Sequence, residues 1–193
     1  MIGPDHLPEF VAGLPNTYAA VAYAERAHEG QSRKIDGAPF IIHPLEVGSL
    51  LFEVGASDDV IAAGILHDTL EKTDTEESEL SALFGGHVAG LVSAVSEDEG
   101  IGSYERRKAG LRAQVADSGP EALMVFAADK LSKARELHLV PLMLTPTLDR
   151  QLNHYRHCLE LLERLLPDSP LVAALAAELQ TLDVPAVHEA AVA

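Results

Sequence analysis

The chain has 193 residues, enough for one domain with a substantial core, and its 47% hydrophobic and 23% charged residues fit an ordinary globular protein. Aromatic residues are only 5% and Trp is absent, so Leu, Ala, Val and Ile must fill the interior, which favours helices over sheets. A net charge of −16, from 14 Lys and Arg against 30 Asp and Glu, argues against a nucleic-acid polymer as partner; a few cations in one cleft can still hold a small phosphorylated ligand.

The chain opens on a Pro-rich lead-in over residues 1–15, with neither the basic start nor the apolar run of a signal peptide. The helical domain is placed at 16–183. Asn16 or Thr17 can cap a first helix, TYAAVAYAERAHEG, whose apolar residues recur at three- and four-residue spacing and which closes at Gly30. QSRKIDGAPFIIHP breaks that period and reads as an ordered loop. Pro44 is placed to open the next helix, PLEVGSLLFEV, which Gly55 ends. Ser57 caps a third, SDDVIAAGILHDTLEKT, with two acids in its first turn.

TEESELSALF, starting at Thr75, and HVAGLVSAVSE follow as two helices, then a polar loop near 98–102. SYERRKAGLRAQVAD is a basic helix, and PEALMVFAADKLSKARELHLV, with Pro120 at its start, is apolar enough to be central. TLDRQLNHYRHCLELLERLL carries the single Cys158, whose place suggests a buried thiol and whose lack of a partner fits a reducing compartment. SPLVAALAAELQTL completes an all-α bundle, followed by a tail over 184–193 without strong signal. No strand or repeat is expected. No stretch reaches the roughly 20 apolar residues of a membrane span, so a cytoplasmic location away from membranes is expected.

The chemical signal centres on His67 and Asp68, adjacent polar residues in a helix that is otherwise apolar and that must therefore give them partners. Imidazole plus carboxylate suits a divalent transition ion, and consecutive helical residues share one ion only if it sits between them. His43, held ahead of Pro44, and Asp129, an acid on an apolar helix, are further candidate ligands; taken alone, each is more often structural. Glu71, four residues after His67, lies on the same helical face and can reach a water at such an ion. Arg33, Lys34, Lys72, Lys130, Lys133 and Arg135 cluster beside these motifs, and Arg106, Arg107, Lys108 and Arg112 form a second basic group, consistent with a phosphate-binding cleft. Tyr104 can stack on a base or pack at its helix start.

Over roughly residues 16–165 the sequence resembles the hydrolase domain of the RelA/SpoT homologues, including the short stand-alone alarmone hydrolases. The resemblance rests on AHEGQSRKIDGAPFIIHPLEVGSLL, GASDDVIAAGILHDTLEKTDT and VFAADKLSKARELH. It implies an all-α HD-domain bundle with one divalent ion, manganese by that analogy, held by His43, His67, Asp68 and Asp129. It further implies Glu71 as the catalytic acid of an HD-x-x-ED motif, with Arg33 and Lys34 against the nucleotide. The expected reaction is hydrolysis at the 3′ side of a guanosine alarmone. The partner is then a small phosphorylated nucleotide, and a homo-oligomer is left open. No room remains after this domain for a synthetase domain, so alarmone synthesis is not expected.

Two positions depart from the family pattern. Lys72 replaces the second acid after HD, and in DKLSK the residue Lys133 stands where the family's DRLHN or DKLHN has Asn. Both changes add a cation. The alternatives are therefore a phosphatase of another nucleotide or phosphorylated metabolite, or a catalytically weak nucleotide-binding sensor. For the hydrolase itself Glu71 and Lys72 are expected at the catalytic position, with Arg33, Lys34, Lys133, Tyr104 and Arg107 against substrate.

Overall fold

The fold is that of a computed structural model, which describes residues 11–139 and 146–182. The tail at 184–193, most of the lead-in and the expected helix end at Val140 lie outside the described residues. In chain order the helices are α1 (Pro15–Ala27), α2 (Ile42–Glu53), α3 (Asp58–Leu66), α4 (Thr69–Lys72), α5 (Glu77–Val95), α6 (Tyr104–Asp117), α7 (Pro120–Glu136), α8 (Pro146–Leu165) and α9 (Pro170–Leu182), with a 3-10 turn at Leu137–Leu139. Among the described residues there is no strand, only an isolated bridge between Ser32 and Pro39 inside the loop that joins α1 to α2.

Two helices form the centre. The α3 helix has Val60, Ile61, Ala62, Ala63, Ile65 and Leu66 fully buried and packs on α1, α2, α5 and α7. The α7 helix, expected to be central, packs on α2, α3, α5, α8 and α9. A Cβ on Gly64 would stand 2.3 Å from Leu51 Cδ1 and 3.3 Å from Val47 Cγ1, so this glycine sets how closely α3 approaches α2. The α5 helix is long and apolar enough by composition to cross a bilayer. However, Gly85 (φ 86°) interrupts its helical backbone at the expected junction of two segments, and Leu80, Val88 and Val92 are fully buried, as in a core helix.

Three local expectations change. The first helix is capped by neither Asn16 nor Thr17: Leu14 is the N-cap, Pro15 follows, and the backbone N–H groups of Asn16 and Thr17 donate to the Asp58 carboxylate at 2.9 and 2.8 Å. An acid in the first turn of α3 thus also closes the N-terminus of α1, and both helix ends favour an anion there. Second, α2 begins at Ile42 rather than Pro44, which places His43 inside the first helical turn; the N–H that Pro44 lacks would have had no intrahelical acceptor there.

Third, the single helix expected over 57–73 breaks after Leu66, and α4 begins at Thr69. Asp68 adopts φ −93°, ψ −3°, at the edge of the helical region, while the Thr69 hydroxyl donates to Leu66 O at 2.7 Å and ties down the loosened turn. At this break His67 Nε2 and Asp68 Oδ2 lie 3.3 Å apart, so the two adjacent side chains do share one point. Ser57 does cap α3, accepting from Val60 N–H at 3.4 Å.

Candidate active site

Four side chains meet where α2, the α3–α4 break and α7 converge. The Nε2 atoms of His43 and His67 face each other at 3.2 Å. Asp129 Oδ1 lies 3.2 Å from His43 Nε2 and 3.5 Å from His67 Nε2; Asp68 Oδ2 lies 3.6 and 3.3 Å from the same two atoms. All four residues are buried. Ligand atoms of His43, His67 and Asp129 fit within 4.8 Å of one another, a separation that one ion can bridge.

The donor set fits a divalent ion on the chain's own terms. Asp68 Oδ2 is buried without a hydrogen-bond partner, which is costly unless a cation completes it. His67 Nδ1 lies 2.7 Å from Gly64 O; a carbonyl only accepts, so this nitrogen carries hydrogen and neutral His67 turns a lone pair inward from Nε2. Two imidazole lone pairs 3.2 Å apart repel unless a proton or a cation stands between them.

The electrostatics show the same demand for positive charge. Burial opposes charge on His67, yet Asp68 and Asp129 outweigh it and raise its pKa to about 10. Burial pushes His43 down to about 4. Burial also opposes ionisation of the two acids, but His67 holds Asp68, and Lys130 holds Asp129, well below the ordinary carboxylate range. Each carboxylate is paired on its other oxygen: Lys72 Nζ with Asp68 Oδ1, and Lys130 Nζ with Asp129 Oδ2.

A cavity of about 930 Å³ opens from this cluster. Glu71 and Lys72 of α4 line it, and Glu71 Oε1 accepts from the Glu97 backbone N–H at 2.7 Å. Burial, then the Asp68 charge, raises the Glu71 pKa. Arg33, Lys34 and Lys133 also line the cavity. Arg33 is engaged by the Asp36 carboxylate and lies 3.6 Å from Glu136, whereas Lys34 is exposed and makes no ion pair among the described residues. Lys72 and Lys133 approach the Phe40 ring to the same distance, 5.4 Å from its centroid, from α4 and α7.

Tyr104 also lines the cavity, with Arg150 at 4.5 Å and Lys108 at 5.5 Å from its ring centroid. Arg107 is not among the lining residues: its Nε donates to Glu97 at 2.7 Å and its Nη1 to Ile101 O at 3.1 Å, bracing the loop that holds Glu71. Lys108 faces the cavity instead and pairs with Glu97. Cys158 is buried as expected, and burial pushes its thiol up to about 11.

The sequence reading passed over Glu46, Glu97, Ser132 and Glu136. Glu46 follows His43 by three residues and Ser132 follows Asp129 by three, the spacing of one helical turn, which was a usable signal. Glu97 offered none, because it acts through a loop backbone N–H.

Residues 20–151 match the HD domain family model. The chain belongs to the HD-domain family. It is 39% identical over 122 residues, 62% of this chain and 68% of the relative, to the human guanosine-3′,5′-bis(diphosphate) 3′-pyrophosphohydrolase MESH1. It is 33% identical over 134 residues to the Aquifex aeolicus guanosine-3′,5′-bis(diphosphate) 3′-pyrophosphohydrolase, covering 68% of this chain and 19% of that longer protein. Among solved structures it superposes with a TM-score of 0.75 and 25% identity on a metazoan orthologue of SpoT that hydrolyses ppGpp, covering 87% of this chain and 96% of that one. A Listeria monocytogenes structure, lmo0812, gives 0.64 at 27% identity over 72% of this chain and 92% of that one.

Proposed function

We propose that this HD-domain chain is a metal-dependent phosphohydrolase that removes the 3′-pyrophosphate of guanosine-3′,5′-bis(diphosphate). The observation that carries the reading is the convergence of His43, His67, Asp68 and Asp129 on one point at the floor of a cation-lined cavity. The named activity of relatives 39% and 33% identical supports it. The mixed imidazole and carboxylate donors suit a divalent ion such as manganese, iron or zinc, and manganese is the one we assign, on the resemblance to the alarmone hydrolases.

When bound, the ion supplies Lewis acidity to a phosphoryl oxygen and to the attacking water. Glu71 takes the proton of that water: Oε1 is fixed by the Glu97 N–H, which leaves Oε2 for the nucleophile, and its raised pKa makes it the stronger base. Water adds to phosphorus as the bond to the nucleotide 3′-oxygen breaks; pyrophosphate departs, and the proton taken up by Glu71 is balanced by the one the 3′-oxygen gains to become a hydroxyl. Lys34, Lys133 and Arg33, the last held by Asp36, line the cavity and take the anionic phosphates. Tyr104 and Lys108 line the nucleoside end; Arg107 supports Glu97 and takes no direct part.

Purified protein loaded with Mn²⁺ should convert ppGpp to GDP and pyrophosphate. Glu71→Gln should lower kcat by about 100-fold or more while Mn²⁺ binding is retained; undiminished turnover in that variant would remove Glu71 from the role of base.

A second reading, that a differently phosphorylated nucleotide is preferred, is favoured by Lys72 and Lys133 converging on Phe40 where the family pattern has acid and amide. Under it, the double variant Lys72→Asp/Lys133→Asn gains kcat/KM for ppGpp over the parent. A gain excludes a purely structural role for the two lysines, and a loss excludes the second reading.

A further inference from the structure

The metal-site reading leaves one question open in the chain itself: what fixes which nitrogen of His43 faces the ion. We infer that Ser132 and Glu46 form a one-way hydrogen-bond relay that locks His43 with its proton on Nδ1, and so presents a lone pair at Nε2. The inference rests on the proposed metal site, and nothing in the family pattern supplies it, since DKLHN places His where this chain has Ser132.

Asp129 Oδ1, 3.2 Å from His43 Nε2, is the acceptor that a proton on Nε2 would use, and the Ser132–Glu46 pair is what opposes that tautomer. Ser132 Oγ lies 2.9 Å from Glu46 Oε2 and 2.8 Å from His43 Nδ1, and both Ser132 and His43 are fully buried. A hydroxyl has one proton, and a carboxylate can only accept. The Ser132 proton therefore goes to Glu46, and Ser132 Oγ must accept from His43, which puts a hydrogen on Nδ1 and leaves Nε2 unprotonated in the neutral ring. Nε2 is the atom that faces His67 Nε2 at 3.2 Å and Asp129 Oδ1 at 3.2 Å. The nearest rival acceptor for Nδ1, Glu136 Oε1, stands at 3.6 Å, too far for a hydrogen bond, and has Arg33 Nη1 at the same distance. Glu46 is held in turn by Arg135 Nη1 at 3.4 Å.

The relay follows from helix periodicity. His43 and Glu46 stand one turn apart on α2, Asp129 and Ser132 one turn apart on α7, and the two helices pack face to face. One turn of each helix delivers a ligand, and the adjacent turn delivers the partner that orients it. Ser132 and Glu46 are positioning residues: neither touches the ion or the substrate. Outer partners of this kind change metal affinity by about 10- to 100-fold.

Two readouts test the relay on the full chain. In the metal-free protein with ¹⁵N-labelled histidine, long-range proton–nitrogen spectra should show neutral His43 protonated at Nδ1, and Ser132→Ala should lose that preference. By calorimetry on chelator-stripped protein, Ser132→Ala should bind Mn²⁺ about 10- to 100-fold more weakly, Ser132→Thr should restore the affinity, and Glu46→Ala should show a smaller loss in the same direction. Wild-type His43 protonated at Nε2 overturns the relay. So does Mn²⁺ binding by a folded Ser132→Ala at wild-type affinity. Should Ser132→Ala fail to fold, Glu46→Ala and Ser132→Thr decide: equal tautomer populations in wild type and Glu46→Ala overturn it. A wild type that binds no Mn²⁺ refutes the metal site instead, and the spectra still decide the relay.

Discussion

Asp68 divides one carboxylate between two partners: Oδ2 faces the imidazoles and Oδ1 takes the Lys72 ammonium. That division has consequences for His67. With its pKa raised to about 10, above the ordinary 6.5, metal-free His67 holds a proton throughout the neutral range. An ion that takes Nε2 must displace this proton, so Mn²⁺ binding at pH 8 should release about one proton per site, and affinity should rise as pH climbs toward 10. Calorimetry in two buffers of different ionisation enthalpy measures the release; no difference between buffers would exclude a protonated His67. The same shift acts on folding. A pKa raised in the folded state stabilises the metal-free protein fully below pH 6.5, and that contribution fades as pH rises through 10. Chelator-treated protein should therefore melt lower at pH 9.5 than at pH 7.5 by more than the metal-loaded protein does.

At the scale of elements, the α3–α4 break and the tie between α1 and α3 are where physical contacts overrode pattern. The apolar spacing of SDDVIAAGILHDTLEKT continues past His67, so periodicity alone reads one helix; the Thr69 hydroxyl and the Asp68 backbone end it. Periodicity did reveal the bundle, the Ser57 cap and the interruption near Gly85, because each follows from side-chain size or backbone freedom within a few residues. The Asp58 cap was invisible because its acceptor lies 41 and 42 residues from the donors. Asp58→Ala should cost about 1–2 kcal/mol, a fall in Tm of about 2–8 °C. An unchanged Tm would mean that water replaces the carboxylate at the α1 terminus. Gly64→Ala should cost about 1–3 kcal/mol, since its Cβ would meet Leu51 at 2.3 Å and α2 must yield.

For the whole molecule, charge is unevenly spread: the cavity lining is close to balanced, its cations facing Asp68, Glu71, Glu97, Asp129 and Glu136, while the chain as a whole is strongly acidic. The cavity gathers Arg33, Lys34, Lys72, Lys108, Lys130 and Lys133 in a chain whose net charge is −16. A small anion can reach those cations where an extended polyanion meets the acidic exterior. Raising salt should therefore increase KM for ppGpp while leaving kcat nearly unchanged, and a salt-independent KM would contradict steering by these groups. Clustering of these cations beside the motifs was legible in the sequence; which of them face inward was not, as the exchange of Arg107 for Lys108 shows, because neighbours on one helix differ by a rotation that only packing fixes. The ligand cluster has a mechanical meaning as well. His43, His67 with Asp68, and Asp129 come from segments far apart in the chain, so one ion held across them would act as a clasp on α2, α3 and α7. Every opening that separates those helices would first have to release it, so resistance to a protease, read with and without chelator, should gauge how full the proposed site is.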